Sequence, residues 1–176
     1  ALVFAHEYTH ILQLDRSEGW ASAVRHLFGR VPLGFPNLFL PQWQIEGLAT
    51  YEESRVTGRG RARGGDFAMI VDEAARASLF EPLDRVSGGL VDWPSDTAAY
   101  AYGAYFHQYL ADRFGEASLK RLMHRTAGRV PYTGAPAFKS VFGVELGELW
   151  REFMEYRKAS ERALQPASPA AARLTR

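Results

Sequence analysis

The sequence predicts a mainly α-helical fold, on three observations. Apolar residues recur at three- and four-residue spacing along most of the chain. Prolines punctuate the gaps between those stretches. No stretch reads as a strong strand, and only residues 38–40 could form a short one.

Taken in order, residues 2–14 read as an apolar helix carrying Leu2, Phe4, Ala5, Ile11 and Leu12, and such a helix is expected to lie buried. Residues 18–28 form a second, with Trp20, Val24, Leu27 and Phe28 at helical spacing. Pro32, Pro36 and Pro41 remove backbone donors, so residues 31–41 form an irregular connection. A third helix covers about residues 42–57 and stops at Gly58, which tolerates the left-handed conformation of a helix end. Residues 59–65, rich in Arg and Gly, read as an exposed loop. Asp66 can cap a helix running to about Leu79. After a connection over residues 82–94, Ser95 can cap a long helix ending near Gly115 and presenting Tyr102, Tyr105, Phe106, Tyr109 and Leu110. Residues 116–127 form another helix, and residues 135–142 a short one closed by Gly143. The last, over residues 145–163, buries Leu146, Leu149, Trp150, Phe153 and Tyr156. Residues 1–164 thus read as one domain, and residues 165–176 as a disordered tail or linker.

Composition narrows the function. Hydrophobic residues make up 47% of the chain, too many for a disordered protein. The 21 Lys and Arg nearly balance the 20 Asp and Glu, so nothing demands nucleic acid or an anionic membrane as partner. Cysteine is absent, which excludes disulfides and thiolate metal sites and leaves His, Asp and Glu as ligands. No apolar run reaches the roughly 20 residues that a bilayer span requires.

Residues 6–10 read His-Glu-Tyr-Thr-His, an instance of HExxH. Four helical positions are a rotation of about 400° and a rise of about 6 Å, so His6 and His10 share one face. Both imidazoles can then reach one zinc ion, and Glu7 can reach a water in the open coordination position. Zinc lowers the pKa of that water towards about 7, where Glu7 can take its proton. A catalytic zinc needs a third protein ligand. Glu46 is the best candidate, set in an apolar helical stretch beside Gly47, whose missing side chain permits close helix packing. Asp15 is a weaker alternative. Glu52 and Glu53 read as a solvated face or as hydrogen-bond partners for the histidines.

The pairing of HExxH with a later Trp43-x-x-Glu46-Gly47-Leu48-Ala49 resembles the gluzincins, the zinc metallopeptidase clan that includes thermolysin and the aminopeptidase N family. The resemblance implies that Glu46 is the third zinc ligand. It also implies a tyrosine that stabilises the oxyanion from a Tyr-x-x-Gly segment. Tyr100 to Gly103 matches that spacing, with Tyr102 as the fallback. More closely, residues 6–15, 28–32 and 40–53 resemble a bacterial peptidase-like domain that stands before TolB-like β-propellers in cell-envelope proteins. The implied fold is the helical catalytic half of a gluzincin, whose preceding β-sheet is largely absent from this chain. The implied activity is zinc-dependent hydrolysis of a peptide or protein substrate at the cell envelope. The alternative is a zinc-containing binding or assembly module that no longer cleaves.

Two departures accompany the resemblance. The gap from His10 to Glu46 is longer than in the aminopeptidases. The aminopeptidase Gly-x-Met-Glu-Asn exopeptidase motif is absent. Elsewhere, His26, His107 and His124 read as ordinary helix residues, and Arg59, Arg61 and Arg63 as a solvated loop. Residues 31–43 are unusually apolar for a connection; packing over the helices is the plain reading, and a substrate pocket or a membrane-surface contact the functional one.

Overall fold

The computed structural model describes residues 1–87 and 93–164. It is mainly helical, and no strand occurs among the described residues. The α-helices are α1 (Leu2–Leu14), α2 (Trp20–Phe28), α3 (Gln42–Thr57), α4 (Gly65–Arg76), α5 (Thr97–Phe114), α6 (Glu116–Thr126), α7 (Pro136–Phe142) and α8 (Leu146–Leu164). Short 3₁₀ turns at Pro32–Gly34, Pro36–Phe39 and Arg61–Arg63 join them. No helix among the described residues is long and apolar enough to cross a membrane.

The centre of the fold is the packing of α3 on α5. Gly47 of α3 faces Gly103 of α5 with nothing between the two backbones. A Cβ built on Gly47 would fall on the Gly103 backbone, and one built on Gly103 would fall on the Trp43 carbonyl. The aromatic core lies along this crossing. Phe106 of α5 meets Trp150 of α8 at 4.9 Å between ring centroids and Trp43 of α3 at 5.7 Å. Phe138 and Phe153 complete the cluster, both fully buried. Buried aromatics of this size cost about 3–5 kcal/mol each when truncated to alanine, so this cluster dominates the stability of the fold.

Three helix ends fall where glycine was expected to end them. Gly58 and Gly143 adopt left-handed conformations with φ of 67° and 75°, and Gly115 follows α5 with φ of 82°. Other boundaries differ. Residues 36–39 form a 3₁₀ turn rather than a strand, because Pro36 favours the first position of such a turn. α4 begins at Gly65, so Asp66 lies inside its first turn, and it ends at Arg76, three residues before Leu79. α5 begins at Thr97 with Asp96, not Ser95, at the cap position. Tyr156, midway along α8, is half exposed instead of buried. Residues 165–176, read from the sequence as a disordered tail, lie outside the described residues.

The largest departure concerns α1. Its apolar residues were expected to face the core, yet Val3 and Phe4 are 72% and 73% exposed, and Ile11 is 61% exposed. The buried face is polar: His6 and Gln13. α2 behaves alike, burying only Ala21 and leaving Leu27 and Phe28 in solvent. Helical periodicity locates an apolar stripe but not the direction in which tertiary packing turns it.

Candidate metal centre

α1 is held in place by buried amides. Gln13 Nε2 donates to the Gln44 carbonyl of α3 at 3.3 Å. Asn37, in the second 3₁₀ turn, donates from Nδ2 to the Gln13 carbonyl at 2.8 Å and to the Met123 carbonyl of α6 at 3.2 Å. Both amides are essentially inaccessible to solvent. Buried polar groups of this kind lock an orientation, because any other would leave them unpaired. With α1 so fixed, His6 and His10 project towards α3 at Glu46. These anchors were not identified from sequence. The signal was there: His6, His10 and Gln13 fall at helical spacing opposite the Phe4 side.

The three expected ligands converge. His6 Nε2 lies 3.2 Å from Glu46 Oε2, His10 Nε2 lies 3.4 Å from the same oxygen, and the two Nε2 atoms are 3.1 Å apart. These atoms form the one His/Asp/Glu group among the described residues able to hold a metal ion. A tetrahedral zinc with bonds of about 2.0–2.1 Å separates its ligand atoms by about 3.3–3.4 Å, so the triangle is close to the right size. The donor set, two imidazoles and one carboxylate, suits a borderline divalent ion. Asp15 takes no part: its carboxylate pairs with Arg30 at 2.7 Å and Arg25 at 3.4 Å, and the Arg30 hydrogen bond holds its pKa low.

A second layer surrounds His6. Glu53, about two turns beyond Glu46 on α3, is 3% exposed and places Oε2 3.3 Å from His6 Nδ1. Arg61 comes from the 3₁₀ turn after α3. It contacts Glu53 Oε2 and His6 Nδ1 with the same Nη2, each at 2.8 Å. Its backbone N–H donates to Glu53 Oε1 at 3.3 Å. An arginine only donates, so its contact with Nδ1 suits an imidazole protonated on Nε2. Glu53 only accepts when ionised, so its contact suits the Nδ1–H tautomer, the one that leaves Nε2 open to a metal. Of the two options for Glu52 and Glu53, Glu53 partners a histidine, while Glu52 pairs with Arg55 at 2.7 Å near the surface. The loop read as solvated departs from that reading at Arg61. Sequence pattern could not bring residue 61 to residue 6, because only the turn at Gly60, with φ of 124°, folds it back onto α3.

Burial, reinforced by the charges of Arg61 and His10, lowers the pKa of His6, which favours the neutral imidazole that a metal requires. Tyr100 on α5 stacks on the His6 ring at 6.4 Å, with the Glu46 carboxylate close enough to influence its hydroxyl. Burial first, and then Glu46, raise its pKa, so it remains a protonated donor. Tyr102 is elsewhere: fully buried between Phe80 and Trp150, with its hydroxyl accepting from the Glu81 N–H. Of the two tyrosines, only Tyr100 adjoins the ligands. Glu7 is exposed and lines a cavity of about 540 Å³ together with His10.

The remaining histidines differ from one another. His26 is exposed. His124 accompanies Glu18 at 2.7 Å and Arg16 at 2.8 Å. His107, expected on a helix surface or partly buried, is fully enclosed in the core. No protein-family model, curated protein or solved structure matches this chain, so the geometry of the site stands by itself.

Proposed function

We propose that this chain hydrolyses peptide bonds with a zinc ion held by His6, His10 and Glu46. The single observation that supports the reading most is the triangle of 3.1–3.4 Å formed by two imidazole nitrogens and one carboxylate oxygen, with Glu7 beside it on an open cavity. A zinc ion held there supplies a Lewis acid that polarises the scissile carbonyl and acidifies a water. Glu7 takes one proton from the attacking water, whose oxygen bonds to the carbonyl carbon. As the C–N bond breaks, Glu7 returns that proton to the leaving amine, so the water is divided between the two products. Tyr100 donates its hydroxyl hydrogen bond to the oxyanion in the transition state. Glu53 accepts from His6 Nδ1–H and orients the imidazole. The substrate is a peptide or protein, and the placement at a bacterial cell envelope rests on the sequence resemblance.

The test begins with metal content. The purified protein should hold about one zinc per chain, and His6→Ala should lose it. Iron in place of zinc would point to a different chemistry, since two histidines and one carboxylate also bind ferrous iron. Glu7→Gln should retain the metal and lose hydrolysis, because an amide cannot take the proton. Full activity in that variant overturns the role given to Glu7.

One observation favours a second reading, a zinc-containing assembly module. The outward residues Val3, Phe4 and Tyr8 on α1 form an exposed apolar face that catalysis does not use. Stoichiometric zinc without cleavage of any peptide in a diverse library would favour the module.

A further inference from the structure

A separate cavity, of about 390 Å³, lies where α3, α5, the start of α6 and the turn Arg61–Arg63 meet. It shares no residue with the metal ligands or with the cavity beside Glu7. Three buried residues line it, Tyr51 and Ser54 of α3 and Ala111 of α5, together with Ala62 of the turn. Arg55, Arg63, Gln108, Asp112 and Glu116 are exposed and form its rim. Its volume falls at the small end of the range for ligand pockets.

Tyr51 is 3% exposed, yet its hydroxyl has no hydrogen-bond partner among the described residues. Buried hydroxyls are normally paired, so one left over asks for an explanation. Three of the four charged groups that act on it, Glu116, Arg55 and Asp112, line the cavity, which places the hydroxyl on that side of the ring. Burial, followed by the carboxylates of Glu116 and Glu52, pushes its pKa up to about 12, so it is a protonated donor.

The rim charges divide into a closed set and two open groups. Arg55 pairs with Glu116 at 3.3 Å and with Glu52 at 2.7 Å. Arg63 donates from Nε to the Ser54 carbonyl at 3.3 Å but has no carboxylate partner among the described residues. Asp112 accepts from Gln108 Nε2 at 2.8 Å but has no cationic partner among them. Arginines elsewhere are paired, Arg25 and Arg30 with Asp15, Arg61 with Glu53 and Arg113 with Glu152. One cavity thus carries a cation and an anion that do not pair with each other. A ligand bearing both charges satisfies both: a carboxylate suits the guanidinium fork of Arg63, and an ammonium suits Asp112. The Tyr51 hydroxyl is left to donate to the same ligand. Apart from the Tyr51 ring, only Ala62 and Ala111 offer apolar walls, which leaves little for a large apolar side chain. We propose that this cavity binds a free α-amino acid with a small polar side chain, held by Arg63, Asp112 and Tyr51. The inference does not depend on the hydrolase reading.

The probe is L-serine, titrated into the full chain and followed through the aromatic ring resonances of Tyr51. Two analogues each remove one charge: L-serinamide lacks the carboxylate, and N-acetyl-L-serine lacks the ammonium. L-serine should shift the Tyr51 ring, and each analogue should bind about 10-fold more weakly or worse, as the loss of a charge-assisted hydrogen bond implies. Arg63→Gln should weaken L-serine by about 10-fold and leave L-serinamide within about 2-fold, because that analogue never used the guanidinium. Asp112→Asn should weaken L-serine to a similar degree and spare N-acetyl-L-serine. Both side chains lie on the rim, and circular dichroism checks that the helices persist in the variants. Equal binding of the three compounds overturns the assignment to a doubly charged ligand, and so does an L-serine affinity that neither variant changes. A Tyr51 ring that does not respond to millimolar L-serine sinks the cavity as an amino-acid site. The three-compound comparison needs no variant, and none of these results bears on bound zinc or peptide cleavage.

Discussion

Two groups compete for one nitrogen at His6. Glu53 Oε2 stands 3.3 Å from Nδ1 and Arg61 Nη2 stands 2.8 Å from it. Only the carboxylate supports the tautomer that binds a metal through Nε2. Glu53→Gln keeps the size of the side chain but weakens the acceptor and removes the charge that anchors Arg61. Zinc affinity should fall by about 10- to 100-fold, the usual effect of removing a ligand's outer partner. Competition against a chelator measures this, with far-ultraviolet circular dichroism to show that the helices persist. An affinity equal to that of the parent protein would mean that Glu53 does not orient His6. At Tyr100 the expectation is kinetic: Tyr100→Phe should lower kcat by about 100-fold with little change in KM, as the loss of an oxyanion donor does. A change confined to KM would instead assign the hydroxyl to ground-state binding.

At the scale of elements, the crossing of α3 and α5 positions Glu46, the proposed third ligand. Gly47 follows it directly, and its Cα rests against Gly103 of the partner helix. Gly47→Ala sets two effects against each other. Helix propensity favours alanine by about 1 kcal/mol. The added methyl, however, meets backbone that no side-chain rotation can move, and overpacking of this sort costs about 1–3 kcal/mol or more. The steric effect should win, lowering Tm by several degrees for a chain of this size. The variant should also bind zinc more weakly, since the α3 backbone that carries Glu46 must shift. A Tm equal to or above that of the parent would show that the helices separate without cost. α1 illustrates the converse. Its position depends not on its apolar residues, which face solvent, but on Gln13, Asn37 and the two histidines.

At the scale of the whole molecule, the core encloses a titratable group. His107 is entirely buried, donates from Nδ1 to the Gly103 carbonyl at 2.7 Å, and has its pKa pushed down to about 4 by burial. The unfolded chain, with a histidine near 6.5, binds the proton first as the pH falls. Stability should therefore be complete above about pH 6.5 and decline through the window down to about pH 4. There the folded state binds the proton too, and the loss from this group levels off at roughly 3 kcal/mol. Urea titrations at a series of pH values should show that slope in the parent protein and a much flatter one in His107→Phe. Equal slopes in the two would place the acid sensitivity at other groups.

Much of this was legible in the sequence. The helices followed from local periodicity, the ends at Gly58, Gly115 and Gly143 from glycine's tolerance of positive φ, and the shared face of His6 and His10 from the helical repeat. Gly47 announced a close packing, though not that its counterpart would be Gly103. These features depend on residues near one another in the chain. Tertiary structure decided what depends on distant ones: that α1 turns its apolar stripe outward, that Arg61 returns to His6 across 55 residues, and that residues 32–38 wall a cavity beside Glu7. An amphipathic pattern states that two faces differ. Which face is covered depends on the partners available, and here buried amides and paired charges outweighed the local apolar pattern.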